Sequence, residues 1–204
     1  MKVLLINGSP NEHGCTYTAL REVEKTLVEA GIETEIFHIG TEPVDGCCGC
    51  DGCAESGRCV FGGVVNTALE KAESADAFVF GCPVHYAGIP GSMKAFMDRF
   101  FWAGNHRLKP GAAVVSCRRG GATATLDGLN KYMTIAQMPL VSSCYWNMVH
   151  GKCPEDVVQD LEGMQVMRTL GRNMAWLLKS IEAGRKAGLD TPELEKRVIT
   201  NFIR

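Results

Sequence analysis

The chain has 204 residues, of which 46% are hydrophobic and 22% are charged, and its formal net charge is -2. This length suits one α/β domain with a C-terminal extension, and the nearly balanced charge argues against a nucleic-acid partner. No stretch reaches the roughly 20 apolar residues that a membrane helix needs, and the apolar run at the N-terminus is too short for a signal peptide. We therefore expect a cytoplasmic protein without a membrane or nucleic-acid partner.

The first half of the chain alternates apolar runs with segments of helical periodicity. Short apolar or alternating runs predict strands at 2–6, 33–39 and 77–81. Apolar residues at helical spacing predict helices at 16–30, 64–72 and 92–102. The third strand, AFVFG, is apolar throughout, which is typical of a strand buried on both faces of a parallel sheet.

The second half continues the alternation, with strands predicted at 112–117 and 139–144 and helices at 124–136 and 157–179. Strands that alternate with helices over short loops indicate right-handed βαβ units. The sequence therefore predicts an α/β fold, a flavodoxin-like three-layer sandwich whose five-stranded parallel sheet has the order 2-1-3-4-5.

We assign residues 1–183 to this domain and 184–204 to a C-terminal helical extension. Thr191 can cap, and Pro192 can open, a helix whose apolar side chains recur every four residues. This stripe consists of Leu194, Val198 and Phe202. Because little of the domain is left for it to cover, we expect it to dock on another subunit.

Ligands of an open α/β sheet bind outside the carboxyl ends of the strands, so the loops after the first, third and fourth strands should share a site. The first loop, GSPNEHGCT, offers hydroxyl groups and the backbone N–H groups of a helix start, which suit a phosphate. The alternative is a plain turn with Thr16 as the helix N-cap. The loop matches neither the Walker motif nor GxGxxG, which disfavours ATP and a Rossmann-bound dinucleotide.

The other two loops are also unusual. The glycines of GCPVHYAGIPGSMK, residues 81–94, allow a flat aromatic ligand to approach the backbone, although His85 and Tyr86 can instead pack on the neighbouring helix. In SCRRGGAT, residues 116–123, Arg118 and Arg119 can bind the phosphate of an incoming substrate, or form a solvated turn.

Five of the ten cysteines lie between residues 47 and 59. Cys47, Cys50, Cys53 and Cys59 form the pattern C-x2-C-x2-C-x5-C, whose compact spacing lets one loop direct several thiolates at a cubane cluster. A structural zinc site usually has two separated C-x2-C pairs and fits less well. Free thiols or a disulfide are the further alternatives, and Cys48 offers a substitute ligand or disulfide partner.

Taken in order, GSPN, CxxCxxC, PVHYAGIPGSMKAFMDR and the glycine-bearing loop after the fourth strand resemble the flavodoxin-like NADPH-dependent FMN reductase and iron-sulfur flavoprotein family, from residue 1 to about 144. The resemblance implies an FMN site in three parts. The phosphate would be held by Ser9, Asn11, Thr16 and Thr18. The isoalloxazine ring would be lined by Pro83, Val84, His85 and Tyr86, and its other edge by Ser116, Gly120 and Gly121. Cys15 departs from the Asn or Ser of many relatives.

The resemblance also implies a [4Fe-4S] cluster on Cys47, Cys50, Cys53 and Cys59, and a dimer element at 92–102 in which Lys94, Asp98 and Arg99 have a structural role. NAD(P)H as co-substrate would deliver hydride to FMN, which passes electrons to a small-molecule or protein acceptor, directly or through the cluster. No protein nucleophile or general base is then needed. A homodimer or homotetramer is expected. The alternative function is a flavodoxin-like redox-sensing or binding module with a cysteine switch loop.

Overall fold

A computed structural model describes residues 1–200 and 202 of the chain. The strands in this part of the chain are β1 (Lys2–Asn7), β2 (Glu33–His38), β3 (Ala77–Pro83), β4 (Gly111–Cys117) and β5 (Met148–His150). The helices are α1 (Cys15–Glu29), α2 (Val64–Glu73), α3 (Gly91–Ala103), α4 (Ala122–Ile135), α5 (Pro154–Gln159) and α6 (Leu161–Lys186). The strands form one parallel sheet in the order β2-β1-β3-β4-β5, which confirms the predicted fold.

Helices cover both faces of the sheet. Alternate side chains of the central strands point to opposite faces, so each face has its own apolar core. Leu4 and Ile6 of β1 belong to a core shared with α2, α3 and α4. Val3 and Leu5 belong to a second core shared with α1, α5 and α6. All four side chains are fully buried, and each contributes about 1.5–3 kcal/mol through removal from water.

The predicted fifth strand at 139–144 is wrong, because β5 comprises Met148–His150. Within the predicted range, only Leu140 forms a bridge to the sheet, opposite Gly111 at the start of β4. Val141 donates its backbone N–H to the Gly111 carbonyl at 2.9 Å, and the chain then leaves the sheet.

The chain returns to the sheet through a polar loop at 142–147. The Ser143 hydroxyl bonds the Asn147 side-chain oxygen at 2.7 Å and the Tyr145 carbonyl at 2.7 Å. The Asn147 side-chain amide donates to the Val141 carbonyl at 3.5 Å. Polar side chains of this kind offer backbone groups a local alternative to the strand ladder, which is why the apolar run does not extend as a strand.

The predicted long helix at 157–179 is divided into α5 and α6 at Asp160. The Asp160 side chain accepts hydrogen bonds from the backbone N–H groups of Gly163 at 2.9 Å and His150 at 2.7 Å. Asp160 therefore acts as the N-cap of α6 and also fixes the end of β5.

The predicted C-terminal helix is wrong over the described residues, since 189–200 contain no helix. Leu194 and Val198 are 65% and 86% exposed. A segment of this length is marginal as a helix without a surface to pack against. The same prediction also covered residues 201, 203 and 204, which lie outside the described residues. No helix in the described part of the chain is long and apolar enough to cross a membrane.

Candidate functional site

A cleft of about 200 Å³ opens where the loops after β1, β3 and β4 meet. It lies at the carboxyl ends of these strands, as the topology predicts. Ser9, Asn11 and Thr16 line it from the first loop, and Pro83, Val84 and His85 from the second. Ser116 and Arg118 line it from the third loop. The fold thus brings together eight of the side chains that the sequence singles out.

The first loop is held by two polar residues that the sequence analysis did not identify. Asn7, at the end of β1, is fully buried; its side-chain oxygen accepts from the Ser9 N–H at 3.1 Å, and its amide donates to the Glu12 carbonyl at 2.8 Å. The His38 ring lies 2.7 Å from the Ser9 carbonyl. A polar residue ending an apolar strand was the available signal for Asn7, because a buried amide needs partners for both of its polar atoms.

The first turn of α1 faces this loop without a side-chain cap, because the N-cap residue is Gly14 and not Thr16. The leading N–H groups of a helix have no partner within the helix, which favours an anion at this point. Asn11 donates its backbone N–H to the Ser9 hydroxyl at 3.1 Å. Thr18 does not line the cleft, and its hydroxyl bonds the Gly14 carbonyl at 3.2 Å instead.

A hydrogen bond between two buried hydroxyls joins the first and third loops. Thr16 Oγ1 lies 2.8 Å from Ser116 Oγ, and the two residues are 1% and 2% exposed. Because the two hydroxyls are almost completely buried and bond each other, the pair fixes the distance between α1 and the end of β4.

The second loop contains a strained two-residue turn. His85 and Gly88 exchange backbone hydrogen bonds at 3.0 and 2.9 Å, and between them Tyr86 and Ala87 have φ values of 48° and 58°. Positive φ in residues other than glycine costs about 1–3 kcal/mol each and concentrates at functional sites. Tyr86 itself is fully exposed and lies outside the cleft.

Gly120 and Gly121 also lie outside the cleft surface, but Gly121 shapes its wall. Gly121 has φ of 91° and precedes α4. A Cβ at this position would lie 2.6 Å from the Ala87 Cα and 2.9 Å from a Val84 methyl group. A glycine is therefore required for the third loop to pack against the strained turn of the second. A Cβ at Gly120 would meet open space.

Two cations line the cleft from different loops. Arg118 follows β4, and Lys152 follows β5, whereas Arg119 is exposed and lies outside the cleft. Lys152 was missed because the fifth strand was placed too early in the chain. The two positive charges favour an anionic ligand. Burial raises the pKa of the neighbouring Cys15 thiol, which keeps it protonated.

The five clustered cysteines lie at a second candidate site, separate from the cleft. Cys47, Cys48, Cys50, Cys53 and Cys59 line one small cavity. Within residues 1–200 and 202, no three His, Cys, Asp or Glu side chains are arranged to hold a single metal ion. Cys53 is buried, and desolvation raises the pKa of its thiol. The loop therefore gathers its thiols around a shared space.

Arg99 of α3 lines the same cavity. Its Nε donates to Cys59 Sγ at 3.1 Å, and its two Nη atoms donate to the carbonyls of Gly62 at 2.7 Å and Asp45 at 3.4 Å. Lys94, Asp98 and Arg99, which the sequence groups together in a structural role, therefore do not contact one another as a set. Lys94 and Asp98 form an ion pair at 2.9 Å on the outer side of the helix, while Arg99 binds the cysteine loop.

Several known proteins resemble this chain in sequence or in fold. The family model for NADPH-dependent FMN reductase matches residues 1–152. An iron-sulfur flavoprotein of Methanocaldococcus jannaschii is 31% identical over 192 residues, covering 89% of this chain and 100% of that protein. RosB, solved with bound 8-demethyl-8-formylriboflavin-5'-phosphate, superposes with a TM-score of 0.69 at 15% identity, covering 100% of this chain and 94% of its own. A flavodoxin from the domain Archaea gives a TM-score of 0.61 at 16% identity, with coverage of 88% and 99%. The chain therefore belongs to the NADPH-dependent FMN reductase family of flavoprotein oxidoreductases, and it has the flavodoxin-like fold.

Proposed function

We propose that this protein binds FMN and oxidises NAD(P)H, passing the electrons to a small-molecule or protein acceptor. The observation that carries the proposal is the cleft, which combines an uncapped helix start, buried hydroxyls and two cations at one edge of the sheet. Bound FMN supplies the redox chemistry, since a flavin accepts a hydride and releases electrons singly. The task of the protein is to bind and orient the reactants.

In this proposal the phosphate is bound by Ser9, Asn11 and the N–H groups of the first turn of α1. Asn7 prepares this loop by bonding both Ser9 and Glu12, so the loop does not need to be ordered when the ligand binds. Thr18 is omitted from the phosphate site because its hydroxyl already bonds the Gly14 carbonyl.

The isoalloxazine ring is assigned to the wall formed by Pro83, Val84 and His85, with Ser116 at the opposite edge. Arg118 and Lys152 are then free to attract the phosphates of NAD(P)H, because both reach the cleft from loops outside this wall. Two positive charges at the cleft favour a hydride donor that carries phosphate groups, and they do so without a protein acid or base.

We further propose that Cys47, Cys50, Cys53 and Cys59 bind a [4Fe-4S] cluster. The donor set fits this group, because these thiols share one cavity with Cys48 and with the buried Arg99 guanidinium. A cubane binds each thiolate at a different iron, so its ligands need not converge on one point. When bound, the cluster supplies a one-electron path between the flavin and an acceptor.

The first test is anaerobic purification followed by flavin, iron and acid-labile sulfide assays and an absorption spectrum of the same sample. We expect one FMN per chain and about four irons and four sulfides. Protein with FMN but without iron would overturn the cluster and leave the reductase. Protein with neither would overturn both.

The donor site is tested by a matched pair of variants, Arg118→Ala and Arg119→Ala. Arg118 lines the cleft and Arg119 does not, so only Arg118→Ala should raise the KM for NADPH. The expected increase is about two- to fivefold, the size of an exposed ion pair, with kcat unchanged. Equal effects of the two substitutions would contradict this assignment of the cleft.

The second candidate function is a redox-sensing module with a cysteine switch loop. It is favoured by the exposure of Cys47, Cys48 and Cys50, which leaves their thiols accessible to oxidants. A protein that holds FMN, does not oxidise NADH or NADPH, and forms a reversible disulfide in the loop would support it over the reductase.

A further inference from the structure

Arg99 is an unusual residue within the described part of the chain, because its side chain is charged and yet only 5% exposed. All three of its hydrogen bonds go to the cysteine loop, two of them to carbonyl oxygens and one to the sulfur of Cys59. The neighbouring Lys94 has a carboxylate partner in Asp98, but no carboxylate of the described residues forms a salt bridge with Arg99. The positive charge is therefore buried without a carboxylate counter-charge.

Burying an unpaired charge is expensive, and such groups are normally paired or bound to a metal site. Neutral carbonyl oxygens supply hydrogen bonds but no compensating charge. The remaining contact is a thiol sulfur, which becomes an anion when it ligates iron. The counter-charge that Arg99 lacks is thus the charge that a set of thiolates would provide.

The positions of the three contacts add a second argument. Asp45 precedes the first cysteine of the loop, and Gly62 follows the last. One guanidinium on α3 therefore binds the loop at both ends and contacts Cys59 between them. The Phe61 ring, 5.5 Å from the guanidinium carbon, covers the group further. This arrangement holds the loop against a regular helix, which is how precise sites are supported.

Resting on the proposed function, we infer that Arg99 is a positioning residue for the iron-sulfur cluster: it clamps both ends of the cysteine loop, and its charge sets the reduction potential of the cluster through the Cys59 sulfur. A four-thiolate cluster is anionic and gains negative charge on reduction, so a nearby cation stabilises the reduced form more than the oxidised form. Such a cation raises the reduction potential, and hydrogen bonds to the ligand sulfurs also raise it.

The test compares Arg99→Gln, Arg99→Lys and the control Lys94→Gln in anaerobically purified holoprotein. Cluster and flavin midpoint potentials are measured by dithionite titration, with electron paramagnetic resonance for the cluster and absorption for FMN. In Arg99→Gln we expect the ratio of reduced to oxidised cluster, measured at the wild-type midpoint potential, to fall at least tenfold. This corresponds to a midpoint potential that is lower by about 59 mV for a one-electron couple. The FMN potential should stay unchanged. Arg99→Lys keeps the charge but loses the forked geometry, and should fall between wild type and Arg99→Gln.

Equal cluster potentials in wild type and Arg99→Gln would overturn the inference while leaving the proposed function intact. An equal shift in Lys94→Gln would also overturn it, because that substitution changes the charge of α3 without touching the cysteine loop. If Arg99→Gln and Arg99→Lys lose iron but keep full FMN content, while Lys94→Gln keeps both, the clamping role is supported. Wild-type protein without iron would overturn both the inference and the cluster, and its flavin content would still report on the reductase.

Discussion

Replacing Gly121 with alanine should loosen the wall of the cleft. Gly121 has φ of 91°, and a Cβ there would lie 2.6 Å from the Ala87 Cα. The backbone conformation costs about 1–3 kcal/mol in any other residue, and relieving the overlap costs about 1–3 kcal/mol more. Because the neighbouring atom belongs to the backbone, the strained turn itself must move. We therefore expect Gly121→Ala to lower the free energy of unfolding by about 2–6 kcal/mol.

The assay is urea unfolding of the FMN-free protein, together with an FMN fluorescence titration. Displacing the turn moves Val84, so the dissociation constant for FMN should rise by about tenfold, equivalent to 1.4 kcal/mol. Gly120→Ala is the control, since its Cβ would meet open space, and it should stay within about 0.5 kcal/mol of wild type. Gly121→Ala protein with unchanged stability and unchanged FMN affinity would refute the reasoning.

Three further predictions concern other parts of the chain. Burial lowers the pKa of His106 from 6.5 to about 4. The unfolded state therefore binds the proton more tightly, and the free energy of unfolding should fall by about 3 kcal/mol as the pH drops from 7 to 4. His106→Phe should remove the pH dependence of the unfolding free energy above pH 5, and an unaltered pH dependence would contradict the assignment. Burial raises the pKa of Cys82 to about 12, so iodoacetamide at pH 8 should alkylate the exposed Cys144 and spare Cys82 until the protein unfolds, as read by peptide mass spectrometry. Removing residues 190–204 should lower the oligomeric mass in light scattering, because the exposed apolar side chains of this segment then cannot dock on another copy; an unchanged mass would rule this role out.

Local patterns were enough to predict the first four strands and the helices between them. In β3, for instance, every residue from Ala77 to Phe80 is apolar and fully buried. The fifth strand could not be placed in the same way. The run from Pro139 to Val141 looks as apolar as a strand, but Ser143 and Asn147 satisfy the backbone locally and delay the pairing to Met148.

The sequence was enough to predict which loops line the cleft, because the topology alone brings the carboxyl ends of β1, β3 and β4 together. Lys152 was missed because its position depended on the fifth strand. The contact of Arg99 with the cysteine loop was missed for another reason, because it joins Arg99 to Cys59 across 40 residues of sequence. Nothing in the helical pattern of α3 distinguishes an arginine that binds the loop from one that faces solvent, and only the packed structure reveals it.

The two edges of the sheet limit how copies of this protein can associate. At one edge, β5 offers only three residues for pairing. At the other, β2 carries Glu33 and Glu35, and Glu35 forms salt bridges with Lys2 at 2.8 Å and Lys71 at 2.5 Å. Short strands and charged side chains both discourage the addition of a further strand. Folded copies are therefore protected from pairing through either edge of the sheet, which favours association through other surfaces of the molecule.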